Sequence, residues 1–147
     1  IIELAKQKNT KIHLPVDVVC AKEFKEGAES KIFPIDSIPN EYEGLDSGPE
    51  SVEKFKRIIM SSKTILWNGP VGVFELESFS KGTKEIGIAI AESTKSGAFS
   101  LVGGGDSVAA VKKFNLENEV SYVSTGGGAM LESLEGKILP GISALKK

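Results

Sequence analysis

The chain has 147 residues, 40% of them hydrophobic, and a formal net charge of −2. That is the size and balance of one globular domain, and it gives no electrostatic reason to expect nucleic-acid binding. No apolar run approaches the roughly 18 residues of a membrane span, the first residues lack the basic stretch and apolar core of a secretory signal, and a single cysteine, Cys20, precludes an internal disulfide and fits a reducing, cytoplasmic setting.

Ile1 to Lys8 reads as the end of an amphipathic helix without an N-terminal cap or initiator Met, as expected of a piece of something longer. Lys11 to Ala21 is rich in β-formers, with Pro15 as a bend or end, and Ser30 to Ile35 is a second short strand. Asp36 to Gly48 has the Pro, Asn, Asp and Gly content of a loop. Pro49 suits the first position of a helix capped near Asp46 or Ser47. Val52, Phe55, Ile58 and Ile59 then recur at helical spacing. Thr64 to Trp67 is a short apolar strand of the kind buried on both faces of a parallel sheet. A loop over Asn68 to Leu76 leads to a long helix, Ser78 to Lys95.

The alternation continues. Ala98 to Val102 is a strand, Gly103 to Gly105 a glycine loop and Asp106 to Phe114 a helix. Val120 to Val123 is a strand, Gly126 to Gly128 a glycine loop and Ala129 to Leu134 a helix. This is an α/β pattern: a parallel sheet with flanking helices, Rossmann-like and three-layered. Ligands of such sheets bind beyond the carboxyl ends of the strands. The loops after Trp67, Val102 and Val123 are expected side by side on one glycine-lined surface.

Glycines let a backbone come close to a phosphate, and the helix that follows offers free N–H groups and a positive dipole end. Asp106, at such a helix start, is either a cap or an oxygen ligand for Mg2+; the segment alone leaves both open. Ser107 either hydrogen-bonds a phosphate or fills the first turn. In the third loop Asn68 offers an amide, Val73 and Phe74 an apolar wall, and Glu75 an acceptor for ribose hydroxyls, whereas Trp67 reads as core. Neither G-x-x-x-x-G-K-[ST] nor the dinucleotide fingerprint G-x-G-x-x-G is present in register. His13, the only histidine, reads as structural or surface, and Cys20 as a small buried residue. No Cys/His spacing suits a structural zinc.

Leu14-Pro15-Val16-Asp17, Gly44-Leu45-Asp46-Ser47-Gly48-Pro49, Trp67 to Glu75, Gly103-Gly104-Gly105-Asp106-Ser107 and Val123 to Ala129 together resemble the phosphoglycerate kinase family, in its order and down to Leu139-Pro140-Gly141. The resemblance implies part of the C-terminal, nucleotide-binding domain of a two-domain hinge-bending enzyme of glycolysis. It implies phosphoryl transfer between 1,3-bisphosphoglycerate and ADP, giving 3-phosphoglycerate and ATP, with Mg2+. By match, Gly44 and Leu45 line the adenine pocket with Val73, and Glu75 receives the ribose. Asn68 and Pro70 belong to the nucleotide site with Gly103, Gly104 and Gly105. Asp106 is the metal-linked carboxylate and Ser107 touches phosphate. Gly104, Gly127 and Gly128 stand at the transferring phosphoryl group. The family's basic phosphoglycerate domain and the early strands and nucleotide-contacting lysines of its second domain have no counterpart here. The fragment is therefore expected to be inactive alone, and the full enzyme to be a monomer with no nucleic-acid or membrane partner. A stand-alone nucleotide-binding module and a dehydrogenase-type domain are the competing readings.

Overall fold

The computed structural model describes residues 1–145. A short exposed helix, α1 (Ile2–Gln7), precedes two three-stranded sheets. The first is antiparallel in the order β2-β1-β3, with β1 (Asp17–Ala21) between β2 (Ser30–Pro34) and β3 (Glu43–Ser47). Val18 stands opposite Phe33 on one side and Ser47 on the other.

β3 corrects the expectation of a continuous loop over 36–48. Gly, Asp and Ser are poor strand formers, but here the partner strand dictates the outcome. Gly44 pairs with Cys20 just after a register shift in β1, and a Cβ on Gly44 would come within 2.9 Å of Val18 Cγ2. Asp46 is satisfied by two N–H donors, one from Ser47 and one from Gly82.

Helix α2 (Pro49–Ser61) starts with Pro at its first position, as expected. Its N-cap is Gly48, and the cap is not Asp46 or Ser47. The Asp17 carboxylate, arriving from β1, accepts the Glu50 N–H at 3.1 Å and the Ser51 N–H at 2.7 Å. A short 3-10 helix (Glu77–Phe79) precedes α3 (Lys81–Lys95), so the expected helix from Ser78 begins three residues late.

The second sheet is parallel, in the order β4 (Thr64–Trp67), β5 (Phe99–Val102), β6 (Tyr122–Val123). Helix α4 (Gly105–Lys113) links β5 to β6, and α5 (Gly127–Leu134) and α6 (Pro140–Leu145) follow. The α/β class with parallel strands and flanking helices is the observed one. Ile65, Trp67 and Val102 from the strands pack with Phe55 and Ile59 of α2, Ile86 and Ile90 of α3, and Ala110 and Val111 of α4.

β4 is not buried on both faces as expected. Ile65 and Trp67 are buried, while Leu66 is 45% exposed, as Phe99 (52%) and Tyr122 (58%) are on the neighbouring strands. Two successive crossovers of the same hand, stepping in one direction, deliver their helices to the same face. That face is the one under Trp67. Among the described residues no helix is long and apolar enough to cross a membrane.

Candidate functional site

Strand adjacency continues past the strand ends. The Gly103 N–H donates to Trp67 O at 2.9 Å, and the Ser124 N–H to Val102 O at 2.8 Å. The loops that follow therefore leave the sheet together. Gly104 has φ 88°, in the left-handed region, and a Cβ there would meet Asn68 Oδ1 at 2.4 Å. A Cβ on Gly127 would meet Gly104 N at 2.7 Å. The three loops meet, Gly127 against the Gly104 backbone and Gly104 against the Asn68 side chain; the left-handed φ of Gly104 and the backbone approach at Gly127 require glycine at these two positions. The side-by-side arrangement read from the sequence is what the structure shows. Ser107 is fully buried, and its Oγ accepts the Gly69 N–H at 2.5 Å, so its hydroxyl ties α4 to the loop after β4. Trp67 is core, as read, and its indole N–H donates to Gly69 O at 2.9 Å.

α4 and α5 begin at Gly104 and Gly126, with no side-chain cap on either. Among the described residues no acceptor reaches the N–H groups of Gly105, Asp106, Ser107, Gly127, Gly128 or Ala129. These orphan donors and the dipole behind them favour an anion. Asp106 is exposed and caps nothing, which removes the first of its two readings. Among the described residues no three His, Cys, Asp or Glu side chains form a metal cage. A lone exposed carboxylate beside unpaired N–H groups has the chemistry of an Mg2+ ligand, since that ion is commonly held by one or two carboxylates plus phosphates and water.

The loop over 68–75 runs from this cradle to β3. The Val73 N–H donates to Leu45 O at 2.8 Å, the Ser47 hydroxyl to Val71 O at 3.3 Å, and the Val71 N–H to Thr83 Oγ1 at 3.2 Å. A cleft of about 380 Å³ there is lined by Gly44, Leu45, Pro70, Gly72 and Val73, among others. Gly44, Leu45, Pro70 and Val73 thus share one surface, joined by one loop to Asn68, Gly104 and Gly127. Phe74 is not part of an exposed apolar wall, because it is 5% exposed and packed in the core. Glu75 is exposed. A larger groove of about 690 Å³ lies between the antiparallel sheet and helices α2 and α3, and contains none of the site residues read from the sequence. His13 is exposed and Cys20 buried, as read.

Sequence reasoning missed the residues that hold this surface. Asp46 is 4% exposed, and its carboxylate accepts the Gly82 N–H at the start of α3 at 2.7 Å. Burial pushes its pKa up to about 6, against the pull of the Gly82 and Ser47 N–H groups. For Asp17 burial acts in the same direction but loses. The Ser51 hydroxyl and the Ser51 and Glu50 N–H groups together hold that carboxyl below the usual range. Lys113 was also missed; its Nζ donates to Phe74 O and Glu75 O. A clue to Lys113 was its position seven residues after Asp106, on the same side of one helix.

Glycine loops at parallel strand ends, two uncapped helices and an exposed carboxylate on an α/β fold give a surface whose chemistry suits an anion. The family model for phosphoglycerate kinase matches residues 1–137. The chain belongs to the phosphoglycerate kinase family. It is 58% identical over 146 residues to phosphoglycerate kinase of Thermosipho africanus, covering 99% of this chain and 36% of that protein. It is 54% identical to that of Porphyromonas gingivalis, covering 99% of this chain and 35% of that protein. The solved structure of phosphoglycerate kinase from Coxiella burnetii aligns with a TM-score of 0.90 at 47% identity, over 97% of this chain and 36% of that one. The chain thus spans about a third of the length of these relatives.

Proposed function

We propose that the protein carrying this chain is a glycolytic phosphoglycerate kinase, and that residues 1–147 supply the later part of its nucleotide-binding domain. The observation that carries the reading is the pair of glycine-started, uncapped helices, α4 and α5, meeting at the ends of parallel strands beside Asp106. In the reaction a phosphoryl group leaves the acyl oxygen of 1,3-bisphosphoglycerate for a terminal phosphate oxygen of ADP, and the carboxylate of 3-phosphoglycerate departs.

Such a transfer needs positioning and charge stabilisation more than a covalent nucleophile. The N–H groups at Gly105 to Ser107 and Gly127 to Ala129 supply fixed donors for phosphate oxygens, with Gly104 beside them; Gly103 is buried under Met130 with its N–H on Trp67 O, and shapes the loop instead. Asn68 and Pro70 border the same cradle. Gly44, Leu45 and Val73 receive the base, and Glu75 the ribose hydroxyls. Asp106 is the ligand for Mg2+, which when bound neutralises charge on the nucleotide phosphates. Ser107 acts by fixing Gly69, with its hydroxyl buried.

The one arginine, Arg57, is exposed on α2 and the one histidine, His13, is exposed near β1, and the reading places the phosphoglycerate site outside this chain. Holding both reactants in near-attack geometry contributes roughly 7–11 kcal/mol to rate acceleration, and the fragment by itself is expected to give no turnover. The test is Asp106→Ala in the intact protein, assayed with Mg2+, ATP and 3-phosphoglycerate. Turnover should fall by at least about 100-fold with the unfolding midpoint nearly unchanged, because Asp106 caps nothing. Wild-type turnover in the variant would refute the assignment.

A further inference from the structure

Lys113 ends α4 seven residues after Asp106, so the two stand on one side of the helix about two turns apart. A lysine at a helix end ordinarily serves its own last carbonyls. This one reaches across to another loop. Its Nζ donates to Phe74 O at 2.6 Å and to Glu75 O at 3.2 Å, with Glu77 Oε2 at 3.6 Å. Among the described residues no backbone N–H reaches either carbonyl. The lysine side chain is only 33% exposed, which limits screening of its charge. Phe74 is pinned from below by core packing and from above by this ammonium. Glu75, the next residue, is exposed, and its carboxylate has no hydrogen-bond partner among the described residues. The point from which it projects is the backbone that Lys113 grips.

We propose that Lys113 is a positioning residue for nucleoside recognition: it holds the Phe74–Glu75 backbone so that Glu75 meets the ribose hydroxyls at a set distance from the Asp106 end of the same helix. The inference rests on the nucleotide reading above. Lys113 touches no nucleotide; α4 acts as a strut, with the phosphate cradle at one end and the grip on the ribose loop at the other. Charge-assisted hydrogen bonds of this kind are about twice as strong as neutral ones, so loss of the ammonium should free the loop.

The test compares Lys113→Met, which keeps the aliphatic stem, with Lys113→Arg, which keeps charged donors, in the intact protein. Steady-state kinetics are measured with ATP, 2′-deoxy-ATP and 3′-deoxy-ATP against 3-phosphoglycerate. Lys113→Met should raise KM for ATP about 10-fold, leave kcat and KM for phosphoglycerate within about twofold, and shrink the preference for ATP over the deoxy analogues. Lys113→Arg should recover most of that preference. A lysine that only supports the fold would move all constants together, or lower the melting temperature, without changing the preference. Unchanged discrimination in Lys113→Met, with discrimination intact in the wild type, overturns this inference alone. A wild-type protein that binds ATP no better than its deoxy analogues overturns the ribose reading, and this inference with it.

Discussion

The helices α2 and α3 differ from α4 and α5 in how they begin. α2 and α3 receive a buried carboxylate from the antiparallel sheet: Asp17 on the Glu50 and Ser51 N–H groups, and Asp46 on that of Gly82. α4 and α5 start at glycines and receive no side chain at all. The same physical need, satisfying orphan N–H groups, is met by buried side chains in one region and, under the proposed function, by nucleotide phosphates in the other. The antiparallel sheet thus supplies the carboxylates that start α2 and α3, and the strand-end loops of the parallel sheet supply none to α4 and α5.

If Asp17 is a structural cap, its removal should cost stability. Asp17→Ala would leave the Glu50 and Ser51 N–H groups without their carboxylate acceptor, while the Ser51 hydroxyl keeps the Asp17 carbonyl as acceptor, at a cost of about 1–3 kcal/mol. Urea unfolding of the intact protein should show it as a lowered midpoint. A variant of wild-type stability would break the comparison.

The two carboxylates should also respond oppositely to pH. Asp17, held below its unfolded value of 3.8, contributes stability that is present above that value and lost as pH falls through its folded pKa. Asp46 has a folded pKa of about 6 against 3.8 unfolded. Between these values the folded state binds more proton than the unfolded state, so this group's contribution falls as pH rises through the window and levels off above it. The span is about 2–3 kcal/mol. Asp46→Asn should flatten the difference in stability between pH 4 and pH 7; a variant with the wild-type slope would show that Asp46 is not the titrating group.

The juxtaposition of the strand-end loops was legible in the sequence because its signal is local. A glycine-bearing loop after an apolar strand needs no tertiary knowledge to be placed at a strand end, and three such loops predict one surface. The residues that support the surface were not legible, because their partners are distant in sequence. Asp17 meets Ser51 across 34 residues and Asp46 meets Gly82 across 36. β3 was hidden for the same reason: its Gly44 and Asp46 look like loop residues until Val18 and Gly82 are brought alongside. The exposed faces of Leu66, Phe99 and Tyr122 were equally out of reach, since an apolar strand does not announce which of its faces a helix covers.

Amide hydrogen exchange of the intact protein, measured with and without Mg2+ and ADP, tests the contrast between the two pairs of helices most directly. Exchange at Gly105, Asp106, Ser107, Gly127, Gly128 and Ala129 should slow when nucleotide binds, because their N–H groups then gain phosphate acceptors. The N–H groups of Glu50, Ser51 and Gly82 already have carboxylate partners and should not change. Slowing at Glu50, Ser51 and Gly82 with none at the glycine-started helices would contradict the account.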